Sequence, residues 1–540
     1  MSITSLLPSD HNGSEPPKQP ASSSKLAAFW ARLDKPDSAA LHGLFSGAVW
    51  IVLTTIFGFI ASNELTTPDL FAGIPQLVWS RIRPAHISMG LFGIFGSGMF
   101  GGWYFIVPRL CKVPLQTNRA ANLLLFFWNL AVLLGVGAIL NGDTQGKEYT
   151  EFPWWIDWPI FTLMCVNVVI FFQTVAARRE PKMYVSLWYI GGSVVWVLMM
   201  YFIGNVMWHP FDTYRTPDGL SHILWNNDAS SLPVGATQFQ RTGALIGLND
   251  AVWNWFYGHN LFGLFITTGG IALVYYLVPK LSRRPLYSHF MSLVGFWSIA
   301  LLYSNTGQHH LLQAPIPNWL KVISIVGSIA LIIPVFSFGV NIMMTMRGQW
   351  GQMLENIPLR YVLTGSFGYY AVSVQGSVQA LMTVNRYIHF TQWVIAHSHL
   401  AFLGAFAFIS SGSMLYMVPQ IVRKPLWSRN LADTQYWLMV AGITGYFWAI
   451  TGAGLAQAAA WVTLGEQVVK AYPVVKPYFV LRSVFGGMYM IGVILQFINL
   501  YMTVKQKMPT EAEKRNLEIA GIQEISAPTS EFDDRTAVVD

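Results

Sequence analysis

Hydrophobic positions run through this chain in long, nearly unbroken blocks, not in the narrow stripe of a surface helix. About twelve blocks reach the ~20 residues that a helix needs to cross a bilayer. They lie near 40–62, 80–107, 121–140, 158–177, 184–205, 250–279, 286–308, 320–346, 360–385, 390–419, 432–460 and 478–504. Several exceed the minimum, which predicts tilt. No soluble domain is predicted between them. The expected architecture is an all-α polytopic membrane protein. A helical domain spans 39–506, with polar tails over 1–38 and 507–540 that belong on the cytoplasmic side.

Composition agrees. Of 540 residues, 53% are hydrophobic and 11% charged, against about 25% charged in soluble domains. The first 38 residues are polar and rich in Ser, Pro and Lys, so no cleavable signal peptide is expected. The formal charge of +7 reads as membrane topology, with no nucleic-acid partner implied. Basic residues follow the even-numbered helices: Arg109, Lys112 and Arg119; Arg178, Arg179 and Lys182; Lys280, Arg283 and Arg284; Arg423, Lys424 and Arg429; Lys505 and Lys507. The odd connections, including 143–157 and the long 206–248 loop, are poorer in them. The positive-inside rule therefore puts both termini in the cytoplasm, as in a bacterial inner membrane. Trp154, Trp155, Trp158 and Trp208 suit an outer aromatic belt. Two cysteines, Cys111 and Cys165, exclude a disulfide framework, an iron–sulfur site and a C-x-x-C-H haem attachment.

Histidines carry the candidate chemistry. His397 and His399 stand two positions apart near the start of helix 10 and face opposite flanks of it. One helix can thus serve two sites, and intramembrane polar groups are costly enough to imply function. His86 and His259 lie at similar depth in helices 2 and 6, roughly 10–15 Å below the outer surface at 1.5 Å per residue. The His309–His310 pair closes helix 7, which runs the other way; Pro315 and Pro317 are compatible with the helix ending there. Six imidazoles from four helices gather in the outer half of the membrane, a donor set that suits iron and copper. His86 and one of the helix-10 pair would hold a low-spin haem axially, and the other helix-10 histidine a five-coordinate haem. His259, His309 and His310 would bind a second metal over its open face. A zinc hydrolase would want a nearby general base, and no carboxylate occupies a predicted helix at that depth.

Several motifs then make a resemblance specific: Arg83-Pro-Ala-His86, Lys147-Glu-Tyr-Thr-Glu151, Trp255-Phe-Tyr-Gly-His259-Asn260, Tyr303 before Gln308-His-His310, Thr383-Val-Asn385, and His397-Ser-His399. Over 40–505 the chain resembles catalytic subunit I of the haem-copper oxygen reductases, in particular the C-type (cbb3-type) cytochrome c oxidases. The resemblance implies that fold. It makes His86 and His399 the ligands of a low-spin haem b, His397 the ligand of a high-spin haem b, and His259, His309 and His310 the copper B ligands. It makes Tyr303 the active-site phenol, cross-linked to His259; A- and B-type relatives carry theirs four residues after the helix-6 histidine, where this chain has Gly263. Glu148 and Glu151 resemble residues that hold calcium near the haem propionates. Thr383, Asn385 and His389 would lie near those propionates. Ser288, His289, Ser292, Tyr369 and Ser373 resemble a single proton route from the cytoplasm to Tyr303.

The implied activity is reduction of O2 to water with electrons from cytochrome c, coupled to proton uptake and translocation. Covalent c-type haems would then reside on membrane-anchored partner subunits. The chain departs from the C-type pattern at Gln375 (usually glutamate), Gly295 (histidine), His289 (tyrosine) and Gln392 (aspartate), which argues for an atypical branch. The 206–248 loop, with His209 and His222, also exceeds the usual length. A nitric oxide reductase of the same superfamily would add glutamates near iron and lack the cross-linked tyrosine; Tyr303 and Gln375 speak against it. A secondary transporter would show inverted repeats, and no convincing repeat is evident.

Overall fold

In a computed structural model, residues 30–206, 212–224, 233–236, 238–241, 247–508 and 510 are described. Twelve helical rods account for the twelve apolar blocks. They are α1 (Ser38–Thr66), α2 (Trp79–Cys111), α3 (Asn118–Asn141), α4 (Trp154–Ala176), α5 (Val185–Val206), α6 (Leu248–Ser282), α7 (His289–Leu302), α8 (Asn318–Thr345), α9 (Ile357–Gln379), α10 (Gln392–Val422), α11 (Arg429–Thr463) and α12 (Val468–Lys505). Ten are long and apolar enough to cross a membrane; α7 and α9 fall outside that criterion. The chain is an integral membrane protein. Several helices run past their expected bounds, α1 at its end and α4 at its start, because sequence windows see hydropathy and not the hydrogen-bonded end of the rod. Glu64 thereby falls inside α1 and Asp157 inside α4, both buried. This corrects the expectation that no helix carries a carboxylate at that depth.

Three helices form the interior. The most apolar window is 94% buried in α2, 94% in α6 and 78% in α10, against 33–50% in the other spans. The reason is legible locally. Each of the three packs on several neighbours, so little of its surface is left outward-facing. The same three carry the single-helix histidines.

They also share a plan that the sequence analysis did not find. Each passes a Val-Pro pair (Val107-Pro108, Val278-Pro279, Val418-Pro419) and ends on a basic residue with left-handed backbone: Lys112 at φ 54°, Arg283 at 53° and Arg423 at 55°. A Pro-Leu pair follows at Pro114, Pro285 and Pro425. The next helix is then clamped by a neighbour. Asn341 of α8 brackets both backbone groups of Ser288, at 3.0 and 2.8 Å, and Asn499 of α12 does the same for Ser428, at 3.1 and 2.8 Å. Thr174, Thr345 and Thr503 each accept an amide from the corresponding turn. These side-chain caps satisfy backbone groups that lipid could not. The result is three parallel repeats of one hairpin unit, not the inverted repeat of a transporter.

Outside the bundle, β1 (Asp212–Arg215), β2 (Ser221–Leu224) and β3 (Gln238–Arg241) form an antiparallel sheet in the order β2-β1-β3. This strand content was not expected. Exposed His222 lies on β2, its Nε2 3.2 Å from the Thr216 hydroxyl. Trp208 and His209 lie outside the described residues. Trp155 and Trp158 face outward as an aromatic belt would, at 39% and 40% exposure.

Candidate metal centre

Each interior helix changes its winding just beyond its histidine. π-Helical segments cover Met89–Gly98 after His86, Leu261–Thr267 after His259, and Leu400–Phe406 after His399. Such insertions are rare and concentrate at functional sites, because the wider turn re-aims side chains. No residue pattern announced them.

His86 and His399 come from facing helices, with nearly parallel rings (12°) whose centroids are 6.3 Å apart. Two imidazoles sharing one ion, each through a metal–nitrogen bond of about 2 Å, would have centroids about 6 Å apart. Their Nδ1 atoms are both committed. His86 Nδ1–H donates to the Thr54 carbonyl and His399 Nδ1–H to the Ile395 carbonyl, each at 2.8 Å. A carbonyl can only accept, so the tautomer is fixed and each Nε2 keeps its lone pair for a metal. His397 follows the same rule, with Nδ1–H donating to Gln375 Oε1 at 3.0 Å. The sequence placed Gln375 only by analogy, near copper; the structure sets it behind His397. From 397 to 403, α10 is only partly buried, although 404–415 beyond it is packed. That leaves apolar helix surface on both flanks to lie against a planar macrocycle.

His259, His309 and His310 form the one three-residue metal-type cluster among the described residues, their ligand atoms within 4.8 Å of one another. Helix α7 stops at Leu302 and gives way to 3₁₀ turns over Tyr303–Asn305 and Gly307–Leu311, so the adjacent pair sits on a tight turn and converges. His259 Nδ1 and His310 Nε2 are 3.3 Å apart, about the separation of two nitrogens on one tetrahedrally bound ion. The Ser328 hydroxyl donates to the Ser324 carbonyl, so its oxygen accepts His309 Nδ1–H at 2.7 Å and leaves His309 Nε2 free. Trp255 stacks on His310 at 3.9 Å and holds its ring plane. An all-imidazole set suits copper, and within it the His309 tautomer is fixed by Ser328.

Tyr303 lies against His259, with centroids 4.6 Å apart and rings 15° from parallel. His259 Nε2 is buried beside it without a hydrogen-bond partner. Gly263 makes this possible: a Cβ there would sit 1.8 Å from Tyr303 Cζ. The position at which the resemblance puts the phenol of A- and B-type enzymes is here the space that the Tyr303 phenol occupies. The expected continuous helix from Tyr303 to the histidines is absent, yet the ring still reaches His259.

The acidic loop divides. Glu148 is ion-paired with Arg83, and Lys147 with Asp250 at 2.6 Å. Glu151 is 5% exposed, with Oε2 unpartnered. Burial, then the Glu148 carboxylate, raises the Glu151 carboxyl to about 8. Asn385 accepts Gln313 Nε2 at 3.2 Å, His389 packs on Phe390, and Thr383 is exposed.

Along the expected proton route, the Ser288 hydroxyl caps α7 by accepting the Met291 amide. His289 stacks on Tyr184 at 6.4 Å, and buried Ser292 donates to the His289 carbonyl at 2.6 Å. Ser373 is one turn along α9 from buried Tyr369. Sequence reasoning missed Tyr275, whose buried hydroxyl lacks a partner and whose ring packs on Tyr189 at 5.6 Å. It also missed Arg482, buried in α12 with its Nε unpartnered, over the Tyr446 ring and within electrostatic reach of His86 and His399. A charge inside a span was the available signal. Gln392, read as a departure, gives its amide to Gln457 Oε1 at 2.7 Å.

Residues 38–488 match the family described as cytochrome c and quinol oxidase polypeptide I. The bacteroid cytochrome c oxidase subunit 1 homolog of Bradyrhizobium diazoefficiens is 30% identical over 469 residues, covering 85% of this chain and 81% of that protein. The cbb3-type cytochrome c oxidase subunit CcoN1 of Stutzerimonas stutzeri is 29% identical over 86% of this chain and 94% of its own length. A haem-copper terminal oxidase dimer solved by cryo-electron microscopy superposes with a TM-score of 0.70 at 17% identity, covering 88% of this chain and 85% of that one, a likeness of fold.

Proposed function

Because the chain belongs to the cytochrome c and quinol oxidase polypeptide I family, we propose that it is the catalytic subunit of a cbb3-type cytochrome c oxidase. It reduces O2 to water with electrons from c-type cytochromes. The observation that carries this reading is the all-histidine triad with Tyr303 stacked on His259 across Gly263. In the proposal His86 and His399 hold a low-spin haem b, His397 a high-spin haem b, and the triad copper B. These groups, when bound, supply the electron transfer and oxygen chemistry.

The chain's own residues do the rest. Backbone carbonyls of Thr54 and Ile395, with Gln375 and Ser328, orient four imidazoles for ligation. Tyr303 stands ready to give a proton and an electron at its phenol oxygen. Ser288, His289, Ser292, Tyr369 and Ser373, joined by Tyr275, lead protons toward Tyr303 from the basic end of the bundle. Glu148 and Glu151 hold calcium by the propionates, and oxygen donors suit that ion. Membrane-anchored c-type cytochrome subunits deliver the electrons. The protein sits in a bacterial inner membrane with both ends cytoplasmic.

Metal and haem content of the purified protein, with reduced-minus-oxidised and carbon monoxide difference spectra, tests the proposal. One copper per two b-type haems, one of them binding carbon monoxide, is expected. Non-haem iron in place of copper would make the protein a nitric oxide reductase, and no haem absorbance at all would sink the enzyme reading.

A further inference from the structure

Asp157 is a carboxylate that the oxidase reading leaves unused. It lies in the first turn of α4 at 1% exposure. Its Oδ1 accepts the Tyr201 hydroxyl of α5 at 2.6 Å and its Oδ2 accepts Gln145 Nε2 at 2.5 Å. Both partners are neutral. The nearby cations are engaged elsewhere: Arg83 by Glu148, Lys147 by Asp250, and Arg81 by the Leu140 carbonyl. Asp143 of the same loop accepts Trp155 Nε1 at 3.1 Å. Helix α3 has one charged side chain, Arg119, at its opposite end. From α6, Tyr257 meets Tyr201 edge-on at 6.2 Å and donates to the Tyr149 carbonyl at 3.1 Å. Tyr257 is also within electrostatic reach of both Asp157 and Glu151. Two buried carboxyls thus share one loop-and-helix unit at the histidine-bearing end of the bundle.

An isolated buried carboxylate without a cation is costly, and the usual resolution is to hold a proton. We propose that Asp157 is a proton store at this end of the molecule, protonated when the neighbouring centres are reduced and deprotonated when they are oxidised. The inference rests on the oxidase reading, which supplies the electrons. Each electron that arrives draws one proton, which forms an O–H bond at an Asp157 oxygen. When the electron leaves, that bond breaks and the proton departs along the loop that carries Gln145, next to exposed Gly146. Tyr201 is the positioning residue, since its hydroxyl can donate to the carboxylate and accept from the acid.

The test is infrared difference spectroscopy of the whole enzyme, stepped electrochemically between oxidised and reduced states without oxygen. The wild type is expected to gain, on reduction, a carbonyl band of a protonated carboxylic acid that shifts in D2O. Asp157→Asn should remove it. Tyr201→Phe should keep the band but move it, because one hydrogen bond is lost. An unchanged carboxylic-acid region in Asp157→Asn overturns the proposal, and so does loss of carboxylate bands alone. Haem absorbance recorded in the same cell shows separately whether the oxidase reading holds.

Discussion

Gln375→Leu isolates what the side chain behind His397 contributes. In the native protein the His397 Nδ1–H donates to Gln375 Oε1 at 3.0 Å, at a partly buried contact inside the bundle. Leucine has similar bulk and no acceptor, so the main change is one buried N–H left unpaired. That costs about 1–3 kcal/mol, which at 1.4 kcal/mol per tenfold corresponds to a ~5–150-fold loss. The range agrees with the roughly 10–100-fold penalty for removing an outer-shell partner of a metal-bound histidine. The loss should fall on one centre only, because His86 and His399 are oriented by the carbonyls of Thr54 and Ile395. The assay is high-spin haem content by carbon monoxide difference spectrum, beside low-spin content in the same sample. Selective depletion of the carbon monoxide-binding haem is expected, with its reduction potential altered in the fraction that remains. Gln375→Glu should instead retain the haem, since a carboxylate also accepts from Nδ1–H, and lower its potential. Full high-spin content with an unchanged potential in Gln375→Leu would refute the claim that this bond orients His397.

Three further outcomes follow from the geometry. His259→Ala should abolish oxygen turnover and copper binding while the low-spin haem spectrum persists, which metal analysis and optical spectra check; loss of the low-spin signal would overturn the partition of ligands. Gly263→Ala places a Cβ where the Tyr303 ring lies, 1.8 Å from Cζ, so the ring must move at a cost of about 1–3 kcal/mol. Oxygen reduction should fall at least tenfold with haem content retained, and wild-type turnover would show that the Tyr303 position is unimportant. Glu151 holds its proton up to about 8 in the native state, whereas the unfolded chain releases it near the ordinary value of about 4.3. Between those values the native state binds more protons, so stability should fall as pH rises, by at most about 1.4 kcal/mol per unit. Glu151→Gln should flatten that slope in thermal unfolding of detergent-solubilised protein with a calcium chelator present, and an identical slope in both proteins would exclude burial as its cause.

The sequence by itself determined the class, the number of rods and the identity of the six imidazoles. Apolar blocks of bilayer length admit only helices, and consecutive spanning rods must alternate in direction. Histidines placed near corresponding ends of His86, His259 and His399 helices must share a level, whatever the packing. Local pattern had helix 7 ending at His309–His310, whereas the α-helix stops earlier, at Leu302. Tertiary structure alone decided the rest. The choice of α2, α6 and α10 as interior helices depends on which faces meet other protein, and their hydropathy scarcely distinguishes them from lipid-facing spans. The π-helical turns and the carbonyl, Gln375 and Ser328 contacts arise between segments remote in the chain, so no window of sequence contains them. Gly263 reads as a missing phenol in one dimension and as room for Tyr303 in three. Asp157 looks like a loop residue until α4 begins three residues earlier and buries it. Its charge is then governed by distant Tyr201, because burial and hydrogen bonding belong to the packed state and not to the local sequence.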